Sequence, residues 1–118
     1  MKYLCLIYED EKIWDSMPTD EAGAILGEYQ SFTEAIAKSG KLLAAEALQP
    51  SATATTVRVR NGRPSTSHGP AVDMSEQLGG FYLVEAASID EAVEVATRIP
   101  SARHGSVEVR PIMSFTAP

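Results

Sequence analysis

The chain has 118 residues, 16 acidic side chains against 10 basic ones, and a formal charge of -6. One core organises about 100–200 residues, so this length predicts a single domain over residues 1–118, and 44% apolar with 22% charged residues excludes a disordered chain. The acidic balance disfavours nucleic-acid binding through phosphate contacts, which needs clustered positive charge.

Lys2 to Tyr8 forms a short run, apolar at every position after Lys2, which predicts a buried strand. It is too short for a membrane span, which needs about 20 apolar residues, and it lacks the basic flank and small-residue cleavage site of a secretion signal. With a lone cysteine, Cys5, inside that run and no intramolecular disulfide to form, the expected location is the cytoplasm. Cys5 itself suits a small core hydrophobe. Glu9 to Pro18 is polar and predicts a loop.

A helix is expected from about Thr19, with Asp20 and Glu21 at the positive end of its dipole. Ala22, Ile25, Leu26, Tyr29, Phe32, Ile36 and Ala37 make its apolar stripe, and Gly40 suits its C-terminal cap. Gly23 and Gly27 weaken this helix, so packing must hold it. Leu42 to Leu48 predicts a second strand. Thr55 to Arg60 alternates Val57 and Val59 with Arg58 and Arg60, and Asn61-Gly62 predicts a tight hairpin turn with a return arm from Arg63 towards Ser67. His68-Gly69-Pro70 then punctuates a loop.

Leu78 to Ala86 predicts a central strand, and Gly79-Gly80 marks a bulge or a close backbone approach. Ser88-Ile89-Asp90-Glu91 is a capping box. The helix it opens carries Ile89, Ala92, Val93, Ala96 and Ile99 on one stripe and stops at Pro100. A last strand from Ser106 to Ile112 alternates Val107 and Val109 with Glu108 and Arg110. This order predicts an α+β fold of the ferredoxin-like βαββββαβ type, an antiparallel sheet with two helices on one face. Successive strand residues point to opposite faces, so Leu4, Leu6 and Tyr8 leave a second apolar face uncovered. Soluble monomers seldom carry such a patch, and a homodimer packed sheet against sheet is expected.

Side chains suited to acid–base work are few. His68, held by a rigid turn, is the candidate catalytic base, with Asp73 and Glu76 near enough in sequence to orient it. His104 sits in a charged loop. Arg58, Arg60 and Arg110 can bind a carboxylate if they point inward; the commoner outcome is an outward arginine paired with a residue such as Glu108. No metal-ligand cluster, phosphate loop or nucleophile motif occurs, so neither a metal nor a cofactor is expected.

Glu76-Gln77-Leu78-Gly79-Gly80-Phe81-Tyr82-Leu83 resembles the DGPF branch of the YCII-related proteins. The similarity extends through Met1 to Tyr8, Ala47-Leu48-Gln49-Pro50, Ala54 to Arg58, Asp90-Glu91-Ala92, Ile99-Pro100 and Gly105 to Pro111. It implies a dimeric α+β barrel and a cleft between sheet and helix that in the family holds a histidine–aspartate pair. Here His68 stands at the motif's aspartate position, Gly69 and Pro70 are retained, and Ala71 replaces the phenylalanine. The first helix has no histidine, so the pair does not carry over, and His68 is the only imidazole at the motif.

The family resemblance also implies lyase or dehydrohalogenase chemistry on muconate-type acids in some members, and an association with sigma factors of the extracytoplasmic-function type. Three functions follow. The favoured one is a dimeric domain that binds a small organic ligand around His68, Gly69, Pro70, Asp73 and Glu76, with a regulatory role. The second is an enzyme moving a proton on a small organic acid with His68 as base. The third is a protein-interaction scaffold.

Overall fold

The computed structural model describes residues 1–115. Among them β1 (Lys2–Glu9), α1 (Lys12–Ser16), α2 (Thr19–Lys38), β2 (Leu42–Ala47), β3 (Thr55–Arg60), β4 (Arg63–His68), β5 (Gln77–Glu85), α3 (Ile89–Thr97) and β6 (Ser106–Pro111) follow in chain order. Four strands pair antiparallel in the order β2-β5-β1-β6, while β3 and β4 pair only with each other. With the hairpin set aside, two strand–helix–strand units interleave their strands, which is the ferredoxin-like arrangement expected. No helix among the described residues is long and apolar enough to cross a membrane.

Both long helices cover one face of the sheet. Tyr3, Cys5 and Ile7 of β1 point there with Tyr82 and Val84 of β5, against Phe32 and Ile36 of α2 and Ala92, Val95 and Ala96 of α3. Phe32 and Tyr82 meet edge to face, centroids 5.1 Å apart. Cys5 is fully enclosed, and burial pushes its thiol up to about 11, so it packs as a protonated hydrophobe. The opposite face carries Leu4, Leu6, Tyr8, Phe81 and Leu83, all half-buried, with the Glu108–Arg110 ion pair on β6 at one side. That face is apolar at its centre, as the alternation requires.

Several local expectations are refined. The segment after β1 is a loop only in part, because Asp10 and Glu11 carbonyls accept from Ile13 and Trp14 N–H, and Asp10 Oδ1 accepts from Lys12 N–H at 3.0 Å, starting α1. Pro18 disfavours helical geometry for the residue before it, and Met17 is extended at ψ 132°, which ends α1. His68 closes β4, opposite Thr55, and does not begin the loop. On α3 the buried stripe is Ala92, Val95 and Ala96, while Ile89 and Val93 are exposed; the helix ends at Thr97, so Ile99 is buried from the extended backbone beyond it. A helix advances 100° per residue, so positions 92, 95 and 96 share the inner side and 89 and 93 fall to its margin. Leu26 and Ala37 of α2 are likewise exposed.

The glycine pair in β5 does both things expected of it. Ile7 pairs with Gly80 and Tyr8 with Leu78, so Gly79 is the bulged residue. A Cβ on Gly80 would lie 2.7 Å from the Glu46 carbonyl, so β2 packs against β5 only because no side chain intervenes. Gly23 and Gly27 of α2 are exposed, and a Cβ on either meets nothing within 4 Å. Gly23→Ala and Gly27→Ala each raise stability by about 1 kcal/mol, read as a higher urea midpoint at unchanged slope; a lower midpoint would contradict this account of α2.

Candidate functional site

A cleft of about 480 Å3 opens between α2 and the β2–β5 side of the sheet. Ile7, Ala45 and the Gly79-Gly80 backbone form its floor, Leu26, Tyr29 and Thr33 of α2 one wall, and Trp14 of α1 an end. Residues 26, 29 and 33 stand three and four apart, so α2 presents them as one row. The lining is mainly apolar and aromatic. Among the described residues no lysine, arginine or histidine lines it, and its acidic residues are Glu9 and Glu46.

The polar groups in the cleft are wired together. Glu9 Oε1 accepts from the Trp14 indole N–H at 3.0 Å, and Glu9 Oε2 accepts from the Ser101 hydroxyl at 2.9 Å. Tyr29 hydroxyl bonds Ser101 Oγ. Ser101 is buried, 1% exposed, in the short 3-10 turn Pro100–Arg103. A hydroxyl has one proton to give, and Ser101 spends it on Glu9, so Tyr29 donates to Ser101. The Tyr29 oxygen therefore keeps its lone pairs as an acceptor. Burial foremost holds the Tyr29 phenol above its ordinary pKa, with Ser101 opposing and Glu9 assisting, so the phenol stays protonated at neutral pH. Nearby, Thr33 Oγ1 and Tyr82 hydroxyl share one bond of 2.7 Å. Two hydroxyls with one bond between them leave one donor over. The cleft thus offers an acceptor backed by a carboxylate, a spare donor, and apolar walls.

The residues singled out in the sequence lie elsewhere. His68 is exposed at the end of β4, Pro70 and Asp73 are exposed in the loop beyond it, and none of His68, Gly69, Pro70, Asp73 and Glu76 lines the cleft. Gly69 turns the chain at φ 100°, its N–H donating to the Ala54 carbonyl at 2.8 Å and its carbonyl accepting from Thr56 Oγ1 at 2.7 Å. Glu76 accepts from Ser106 Oγ at 2.8 Å. The structure ties Gly69 to the hairpin and Glu76 to β6, and does not bring them together around His68. His104 is exposed beyond the 3-10 turn. Arg58 and Arg60 are exposed and donate to backbone carbonyls, and Arg110 pairs with Glu108 at 2.6 Å.

Nothing in the sequence marks Glu9, Trp14, Tyr29 and Ser101 as a group. A lone tryptophan in an otherwise acidic stretch was the available signal for α1; Tyr29 fitted a core stripe, and Ser101 had none. Glu11 fixes the cleft's end: its carboxylate accepts from Ser51 N–H and Oγ at 2.6 and 2.8 Å, and its N–H donates to Gln77 Oε1 at 3.0 Å.

A model of the YCII-related domain matches residues 1–116. The chain belongs to the YCII-related domain family. It is 33% identical over 117 residues to Uncharacterized protein R00369 of Rhizobium meliloti (strain 1021), covering 98% of this chain and 94% of that one. Among solved structures, this YCII-related chain is similar to 5-chloro-2-hydroxyhydroquinone dehydrochlorinase (TftG) from Burkholderia phenoliruptrix AC1100, in complex with 2,5-dihydroxybenzoquinone. That likeness has a TM-score of 0.56 at 14% identity, over 96% of this chain and 94% of the other. At such identity it shows the α+β fold alone.

Proposed function

We propose that this YCII-related chain binds a small hydroxylated ring without a carboxylate in the α2–sheet cleft and moves a proton on it. The single observation behind this is the Tyr29–Ser101–Glu9 chain of hydrogen bonds ending at the cleft. A ligand hydroxyl donates to the Tyr29 oxygen; Tyr29 passes its own proton to Ser101, and Ser101 passes its proton to Glu9 Oε2. Glu9 ends as a carboxylic acid and the ligand as an oxyanion, so one proton moves and charge is conserved. The spare Thr33–Tyr82 donor suits a neighbouring carbonyl oxygen.

Charge sets the ligand class. A carboxylate ligand would meet Glu9 with no cation to offset it, and burying an unpaired anion is costly. Muconate-type acids are therefore disfavoured. The named ligand of the dehydrochlorinase is a ring bearing hydroxyl and carbonyl oxygens; of such rings, those that keep a hydroxyl proton at neutral pH match the acceptor, donor and apolar walls described here. A regulatory role beside a sigma factor rests on family resemblance alone.

Trp14 is the sole tryptophan and lines the cleft, so its emission reports occupancy. Titration with hydroquinone, a hydroxylated ring that is neutral at pH 7, with N-acetyltryptophanamide as the inner-filter control, quenches Trp14 and raises the melting temperature, while cis,cis-muconate does neither. His68→Ala leaves the titration unchanged. Binding of muconate alone, or loss of ring binding in His68→Ala, would overturn the assignment.

A further inference from the structure

The short helix α1 crosses one end of the cleft with little to hold it there. It is a single turn, Lys12–Ser16, and none of its residues is buried. Isolated helices shorter than about 12–15 residues are marginal in water, so α1 exists only by what ties it down. Segments with few buried apolar contacts are the first to open in a folded domain. Beyond α1, Met17 at ψ 132° and Pro18 break the helical path before α2 begins at Thr19. The turn can therefore swing without disturbing α2.

Side chains tie it at two points. Its root is Glu11, whose carboxylate accepts from Ser51 N–H and Oγ and whose own N–H donates to Gln77 Oε1. Its free side is held by Trp14, the α1 residue that lines the cleft, whose indole N–H donates to Glu9 Oε1 at 3.0 Å. Ile13 and Trp14 backbone N–H donate to the Asp10 and Glu11 carbonyls. Those two bonds span the joint between the fixed root and the turn.

The strength of the Trp14 tie depends on charge. A hydrogen bond to a carboxylate is roughly twice as strong as one between neutral groups. Around the Glu9 carboxylate stand Trp14 of α1, Ser101 of the 3-10 turn and, through Ser101, Tyr29 of α2. Arg103 of the same turn is paired with Glu28. Among the described residues no ion pair includes Glu9, so a neutral Glu9 leaves Trp14 the weaker bond alone.

We propose that α1 is a lid on the cleft, rooted at Glu11 and latched by Trp14 to the Glu9 carboxylate, and that it opens when this carboxylate becomes neutral. The inference rests on the reading of Glu9 as the destination of the ligand's proton. The proton that arrives at Glu9 Oε2 loosens Trp14 on Oε1. Closure over the unreacted ring and opening after transfer then follow from one proton. Glu11 does not line the cleft; it is a positioning residue for the lid.

The test follows hydrogen exchange at the residue 13 and residue 14 amides by NMR in ligand-free protein, with the α3 amides as reference. Glu9→Gln, an uncharged stand-in for the protonated acid, speeds exchange at both amides about threefold, and acrylamide quenching of Trp14 rises with it. Trp14→Phe keeps a ring but has no N–H to donate, and speeds the same amides about tenfold, as loss of one hydrogen bond implies. Wild-type exchange in both variants would overturn the lid. Faster exchange in Trp14→Phe alone would overturn its control by charge, and with it the proposal. Faster exchange in both, in a protein that hydroquinone neither quenches nor stabilises, would uphold the lid and overturn only the ligand reading of the cleft.

Discussion

Gly105→Ala lowers stability by about 3 kcal/mol or more, at the upper end of overpacking costs. A Cβ at this position would lie 2.1 Å from the Tyr8 carbonyl oxygen and 2.9 Å from Glu9 Cα. Both obstacles are backbone of β1, which cannot turn aside as a flexible side chain would. Tyr8 pairs with Ser106 in the β1–β6 ladder, and Gly105 N–H donates to the Ser101 carbonyl at 2.8 Å. Relief of the clash therefore parts the central strand β1 from the edge strand β6 or unwinds the 3-10 turn. Domains of this size are stable by only about 5–15 kcal/mol, so the loss shows as a fall in melting temperature of roughly 10 °C or more. A variant that melts with the wild type would contradict the close approach. Glu9 follows Tyr8 directly and Ser101 precedes Gly105 by four residues, so the same substitution also disturbs the relay.

Glu9→Gln removes the terminal base while keeping the side chain's size and an oxygen for Trp14. Proton transfer on a bound ring falls by about 10²–10⁴-fold, the usual contribution of a positioned base, while quenching of Trp14 by hydroquinone changes only a few-fold. Tyr29→Phe cuts the chain between ligand and Ser101 and produces a similar loss. Ser101→Ala does the same and also leaves Tyr29 and Glu9 without their shared partner, at about 1–3 kcal/mol of stability. The readouts are deuterium exchange at ring C–H positions by NMR and chloride release from 5-chloro-2-hydroxyhydroquinone. If all three variants lose affinity and the wild type accelerates neither reaction, the cleft binds without chemistry.

Gly79-Gly80 announced a close approach, and the structure supplies its object, the Glu46 carbonyl. Asn61-Gly62 announced a tight turn, and both residues adopt the left-handed region at φ 52° and 75°. Ser88 Oγ accepts from Glu91 N–H at 3.3 Å, the serine half of the capping box, while the Glu91 carboxylate pairs with Lys41 Nζ at 2.8 Å. Each of these depends on a few adjacent residues and is legible without the fold. His68 drew notice for its chemistry and its place in a motif, yet the hairpin carries it away from the cleft.

Strand alternation, helix stripes, turn glycines and the capping serine are written in neighbours one to four positions apart, which is why the amino-acid order alone determined every element but α1, and their ferredoxin-like succession. Tertiary structure decided the rest. Glu9, Trp14, Tyr29 and Ser101 span 92 positions between the serine and the carboxylate it bonds, and no local periodicity encodes a hydrogen bond of that reach. They converge because β1 is central in the sheet, α2 lies over it, and the turn after α3 returns beside the end of β1. Likewise, the alternation of Val57 and Val59 with arginines predicts a two-faced strand, but only three-dimensional placement shows that both faces meet solvent.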